Sequence, residues 1–528
     1  MRAKGKIPKD LQGFPATLRS IGYFTSNNAK TDYNANIDVR TAWTRNGKQA
    51  HYSQRMPGEP FFSVFNHETT HESSLFPDKE KSSFDPQKMR VPPYQSDTPE
   101  IRADWARYYS RLQQMDQQIA AKLQELKESG EAENTIVFYF SDNGGVLPRS
   151  KRFLQESGTH VPLIIYFPPK WQHLSPAPPG SRITDPVHFV DFAPTVLSLV
   201  GEKGLPHFQG NAFAGSKKQA SREFVFCSRD RMDERYDMMR MVADKRWIYI
   251  RNFRPDLPYV QPLQYMFQAR GYQSWAKQVA SGKASAAELQ FWGAKPAEEL
   301  YDSLSDPDNV NNLATVVEHQ ATLQRMRDAL RQQVVKIRDN GFLPEGSEAE
   351  GFIAAQQNEL FPMERVFDLA VKASEQNPKH LPEFIAALSD QAEAVRWWGA
   401  QGCAMLADKA DTAKDALLLA LKDSSGPVQI AAAEALARQG DLPSSLPVLE
   451  HWTSQAENPW WALQAANVLD RLGESARPAL ASMQKVLKQN RESPEGSEPY
   501  LQRLLQRTVA VLEGKVEPLV YPVRLPQE

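Results

Sequence analysis

Three short apolar runs without polar alternation limit the architectures open to this chain: PFFSVFN (Pro60 to Asn66), NTIVFYF (Asn134 to Phe140) and VPLIIYF (Val161 to Phe167). A strand with one face in water alternates apolar and polar residues. An unbroken run instead predicts burial on both faces, as in a mostly parallel sheet covered by helices. Between the first two runs lies a segment of helical period. Thr98 is a candidate N-cap and Pro99 suits the first turn; Ile101, Trp105, Tyr108, Leu112, Met115, Ile119 and Leu123 follow at steps of three and four. Strand runs alternating with helical stretches continue to about Gly341, which predicts an α/β unit. Within it, Met238 to Phe253 reads as a hairpin, and Leu323, Met326, Leu330 and Val334 as the inner face of a closing helix.

The pattern changes after Gly341. The turn-rich stretch 342–358 predicts a linker, and 359–515 is nearly all helix formers. AVRWWGAQGCAML, PVQIAAAEALARQGD and PWWALQAANVLDRLGE recur with Val395, Val428 and Trp460 in register, about 33 residues apart. Ala400, Ala433 and Ala465 fall where stacked helices must approach closely. These segments resemble HEAT-type repeats, an α-solenoid whose units bury their apolar faces against neighbours. Residues 516–528 read as a tail.

Lys+Arg total 62 against Asp+Glu 64 in 528 residues, a net charge of -2. That balance gives no electrostatic reason to expect nucleic acid or an anionic membrane surface as partner. No apolar run approaches the roughly 20 residues of a membrane span, and the basic N-terminus has no apolar stretch behind it to form a secretory signal. Two cysteines, Cys227 and Cys403, cannot build a disulfide framework.

The most informative segment is Asn134 to Pro168. A predicted strand ends in Ser141-Asp142-Asn143-Gly144-Gly145, and ligand sites in open α/β sheets gather beyond the carboxyl ends of strands. Asp142 and Asn143 offer adjacent hard oxygen ligands, and the glycines let the backbone turn sharply. Lys151 then opens K-x-x-x-x-E-x-G, followed by VP and the third run. This order resembles the type I sulfatases of the alkaline phosphatase superfamily. Four more segments match that family in order: GYFTSNNAK (Gly22 to Lys30), FFSVFNHETTHES, DPVHFVDFAPTVLSLVG and ELYDSLSDPDNVNNLA (Glu299 to Ala314). The TTHES loop is similar to a bacterial heparan N-sulfatase-like branch.

The resemblance implies a mixed sheet flanked by helices and hydrolysis of sulfate esters or sulfamates on a sulfated small molecule or polysaccharide. It implies a formylglycine nucleophile and a Ca²⁺ ion, with Asp142 and Asn143 as metal ligands. Lys30 and Lys151 match the sulfate-binding lysines. His71 matches the histidine that contacts sulfate and protonates the leaving group. Periplasmic or extracellular location is usual in the family. One departure is Asp32, where the family more often has histidine; an anion there repels sulfate unless it is paired.

The larger departure is at the front. The family's C-x-(P/A)-x-R or serine equivalent, an earlier Asp-Asp pair and an early strand should precede Gly22 by tens of residues, and about twenty are present. Cys227 has Arg231 at the right spacing, but Arg229 stands where Pro or Ala belongs; Cys403 lies in the repeats. The expectation is a truncated gene model or gene fragment, a fragment or inactive as given. Alternatives are a non-catalytic protein that binds partners through its helical repeats, and a phosphodiesterase of the same superfamily. His67-Glu68-Thr69-Thr70-His71 is a literal H-E-x-x-H zinc motif, but its paired threonines and Pro77 disfavour the helix that zinc binding needs. Trp105 and Trp247, which could stack on sugars near a cleft, are expected in the core.

Overall fold

The computed structural model describes residues 5, 7–8, 11–76, 82–455, 457–489 and 499–521. Residues 522–528 of the expected tail lie outside them. The α/β part contains three sheets. The first has the order β2-β1-β3, from β1 (Phe24–Asn28), β2 (Arg45–Asn46) and β3 (Phe61–Phe65), all parallel, with Thr25 opposite Phe62. The second pairs β4 (Val137–Phe140) with β5 (Leu163–Tyr166), antiparallel, Tyr139 opposite Ile164. The third is an antiparallel meander of β6 (Val225–Arg229), β7 (Met239–Ala243), β8 (Trp247–Asn252) and β9 (Glu298–Asp302).

The predicted helix is Pro99–Glu128, with Thr98 as N-cap: its hydroxyl accepts from the Ile101 amide at 3.2 Å, satisfying one of the first-turn donors. The hairpin is β7–β8, and the closing helix is Gln320–Ile337, with Leu323, Met326, Leu330 and Val334 all buried. The expectation of two-faced burial is corrected in β3 to β5. Every residue of β3 is only half-buried, and Ile164 and Tyr166 are 63% and 52% exposed.

The meander behaves differently, because both of its faces are covered. Register places Val242, Tyr249 and Leu300 on one side and Met241 and Ile250, with Ala243, Ile248 and Tyr301, on the other. The first set joins an apolar core running through Phe253, Phe342 and Phe361 to Trp398, Ala404 and Leu436 of the helical tail. The stretch expected as a linker is therefore packed: Phe342 and Leu343 are fully buried, and Ala349 and Ala355 nearly so. Antiparallel helix pairs follow, with Glu393–Leu406, Gly426–Arg438 and Pro459–Leu472 as corresponding helices. Ala400, Ala433 and Ala465 are completely buried between helices, as close stacking requires.

Buried ion pairs cross the same boundary. Arg254 bonds Asp256 at 2.8 Å and Glu434 at 3.5 Å; Arg438 bonds both carboxylates at 2.8 and 2.7 Å; Arg471 bonds Glu434 at 2.9 Å. No helix among the described residues is long and apolar enough to cross a membrane.

Candidate active site

Strand direction assembles the site. β1 and β3 are parallel, so the residues after each strand emerge at the same edge: Lys30 after β1, and His67 to His71 after β3. Asn27 stitches the two ends together. Its Nδ2 donates to the Lys30 carbonyl at 2.7 Å, and its Oδ1 accepts from Asn66 Nδ2 at 2.9 Å.

The loop after β4 carries the remaining predicted residues and is held in a tight knot. The Gly144 amide donates to Gly158 O (3.0 Å), the Gly145 amide to Ser157 O (3.1 Å), and the Lys151 amide to Gly145 O (2.8 Å). A Cβ on Gly144 would lie 2.1 Å from Ser157 O, and one on Gly158 2.2 Å from Phe153 O. Both glycines are thus demanded by close backbone approach, which explains their places in D-N-G-G and E-x-G. From behind, the 299–314 segment braces the knot: Arg149 donates to Asp308 O and Asn309 O, and Asn309 Oδ1 accepts from the Glu156 amide at 2.7 Å.

Three predicted residues converge. Lys151 Nζ lies 3.4 Å from His71 Nε2, and Lys30 is close enough to influence both. Burial, then the positive charges of Lys151 and Lys30, lowers the His71 pKa and favours its neutral form. Burial also lowers the Lys151 pKa against the opposing field of Glu72. Lys30 is more exposed: partial burial works against its charge, but bonding to Asp32 and the field of Glu68 raise its pKa on balance. Asp32, the departure from the family pattern, is paired with Lys30 at 3.2 Å.

Asp142 and Asn143 stand at the end of β4, Asn143 Nδ2 donating to Asp142 Oδ1 at 2.9 Å, and the Asp142 charge is felt by Lys151. Calcium takes roughly six to eight oxygens. The pair suits one side of such a shell by donor type and does not complete it; among the described residues no group of three or more His, Cys, Asp or Glu side chains gathers for a metal.

Residues 67–71 form no helix, so the two histidines do not share a helix face: His67 Nδ1 is 3.3 Å from Gln118, while His71 caps the short turn Glu72–Leu75. Cys227 is a β6 residue whose thiol burial pushes up to about 11, and Cys403 is pushed up to about 12; neither has thiolate character. Trp105 bonds Gln95 and packs beside Tyr108, and Trp247 lies against His319.

Sequence reasoning passed over a buried pair behind the basic cluster. Glu72, next to His71, accepts two 2.8 Å bonds from Arg152, next to Lys151, and the two side chains are 1% and 5% exposed. Arg152 has φ 82°, a conformation rare outside glycine that the two-pronged bond holds in place. The adjacency of Glu72 to His71 and of Arg152 to Lys151 was the available signal.

Residues 5–202 match the family model for sulfatases, and residues 381–470 that for HEAT repeats. An ulvan-active sulfatase of Formosa agariphila is 36% identical over 377 residues, covering 64% of this chain and 62% of the relative. Human N-sulphoglucosamine sulphohydrolase is 27% identical over 272 residues, covering 48% of this chain and 52% of the relative. The chain thus spans about half to three-fifths of the length of these relatives. A solved protein in complex with D-glucosamine-2-N,6-O-disulfate aligns with 65% of this chain and 85% of its own at 15% identity and a TM-score of 0.41. Over residues 5–202 this chain is similar to sulfatases, and over residues 381–470 to HEAT repeats.

Proposed function

We propose that this chain supplies the sulfate-holding face of a sulfuric ester hydrolase acting on sulfated sugars, as O-sulfate esters or sulfamates. The observation that carries this reading is the 3.4 Å approach of Lys151 Nζ to His71 Nε2, with Lys30 acting on both from a third segment. Lys151 shares Glu72, at 4.0 Å, with the closer Arg152, and a tetrahedral dianion placed among the basic groups relieves their crowding. In this role Lys30 and Lys151 offset charge on the sulfuryl oxygens. Where a nucleophile that neither cysteine supplies takes the sulfuryl group, His71, protonated beside the bound dianion, bonds the bridging atom and gives it that proton as the S–O or S–N bond breaks. Asp142 and Asn143 contribute to a calcium site; calcium, when bound, polarises the sulfate. The two named relatives, one ulvan-active and one a sulphohydrolase of N-sulphoglucosamine, support a sugar substrate.

Neither cysteine is placed or activated to serve as the nucleophile. Removing a covalent nucleophile costs on the order of 10⁶ in kcat, so residues Lys30, His71 and Lys151 by themselves are expected to bind sulfate with little turnover.

Calorimetric titration of the full chain with sulfate and with phosphate, in calcium-containing buffer, tests the reading. Sulfate should bind, and Lys151→Ala should weaken it about tenfold, ~1.4 kcal/mol. Indifference to Lys151→Ala would remove the reading. Clear preference for phosphate would favour the phosphodiesterase alternative.

A further inference from the structure

The wall beside His71 comes from a distant part of the chain. Tyr265, half-buried, places its ring 6.3 Å from the His71 ring and 5.0 Å from that of Phe76, nearly edge-on to the latter. Its hydroxyl is under the influence of Ser73, whose own hydroxyl lies 3.0 Å from His71 Nδ1. An aromatic corner thus adjoins a cluster of basic groups.

The loop that delivers Tyr265 is braced from behind by the helical repeats. The Gln264 amide donates to Glu234 Oε1 at 2.6 Å, and Arg235 Nε donates to the Pro262 carbonyl at 3.2 Å. Glu234 and Arg235 are in turn held by the helix Pro459–Leu472: Asn467 Nδ2 donates to Glu234 O at 2.9 Å, and Arg235 Nη1 to Asp470 Oδ2 at 2.5 Å. Two bonded steps therefore separate the last HEAT helix from the residue next to Tyr265.

We propose that Tyr265 is a substrate-contacting residue that stacks on the pyranose ring bearing the sulfate, and that the HEAT repeats serve the site by fixing it. This rests on the sulfate-binding reading above. If the sulfate sits among Lys30, Lys151 and His71, the atom His71 bonds is the bridge to the leaving sugar. That sugar must then extend past the His71 ring, beside which Tyr265 stands. A pyranose has an apolar C–H face and a polar rim, which an aromatic wall beside a charged pocket complements. Asp470 contacts no substrate and acts as a positioning residue through Arg235 and the loop.

The test measures affinity of the full chain for sodium sulfate and for glucosamine 6-O-sulfate. Tyr265→Ala should lose at least fivefold in affinity for the sulfated sugar and leave sulfate affinity unchanged. Tyr265→Phe, which keeps the ring, should stay within twofold of wild type for both. Asp470→Asn should weaken the sugar and spare sulfate, a split that general destabilisation would not produce. Equal loss of both ligands in Tyr265→Ala, or no loss of the sugar, would overturn the proposal while leaving the sulfate site intact. Failure of the unaltered protein to bind either ligand would overturn the sulfate reading and this one with it.

Discussion

At the scale of residues, the site is a cluster of basic groups backed by a buried ion pair. Burial and two neighbouring ammonium groups lower the pKa of His71. In the free protein its imidazole should titrate below the ordinary value of about 6.5, and Lys151→Ala should move it upward; ring-carbon shifts followed against pH read both. Glu72 offsets part of the same crowding while committed to Arg152. Glu72→Gln leaves a buried guanidinium with a neutral partner, so it should cost about 3–5 kcal/mol in urea unfolding and lower the Lys151 pKa further. Lys30, His71, Lys151, Asp142 and Asn143 could be proposed from the sequence because each sits in a motif, and the fold brings the first three close together. Tyr265 lies in a loop with no motif, and only the fold brings it to His71. Asp32, an anomaly as sequence, is explained by its pairing with Lys30.

Among elements, the loop after β4 shows how local sequence sets the site. Its knot of hydrogen bonds depends on Gly144 and Gly158, each facing a carbonyl too close for a side chain. Gly158→Ala should therefore displace the loop that carries Lys151, costing at least about 1–3 kcal/mol and weakening sulfate binding more than Lys151→Ala alone; unfolding and calorimetric titration together check this. Helices were the most legible elements: Thr98 marks a start, and regular apolar spacing identifies the buried faces of Pro99–Glu128 and Gln320–Ile337. The apolar runs were legible as strands but not as to environment. β4 and β5 carry apolar residues on both faces, yet pair antiparallel with one face exposed, because periodicity records what a strand can bury and not what stands against it.

At the scale of the molecule, the repeats and the α/β part share one core and a buried charge network. Burial alone would raise the Glu434 pKa, but the fields of Arg471, Arg438 and Arg254 outweigh it and hold it at about 2. Its folded value lies below the ordinary 4.5, so its contribution to stability is complete above about pH 4.5 and lost as pH falls toward 2. Glu434→Gln should cost about 3–5 kcal/mol at neutral pH and flatten the acid side of the stability curve in that window. A joint of this kind was not legible in the sequence, since its partners lie some 180 residues apart. The exposed face of β4–β5 carries a different consequence. Ile164 and Tyr166 present apolar surface that solvates poorly, so the 528-residue chain should bind a hydrophobic dye in its native state, and Ile164→Lys should reduce that signal.

The most direct test of the central claim is the His71 titration repeated in saturating sulfate. A dianion among Lys30, Lys151 and His71 replaces the field that suppresses the imidazolium with one that favours it. The account predicts that sulfate raises the His71 pKa above its value in the free protein, and that Lys151→Ala diminishes the response. A His71 titration curve unmoved by sulfate would show that no anion binds beside it, contradicting the assignment of this cluster as a sulfate site.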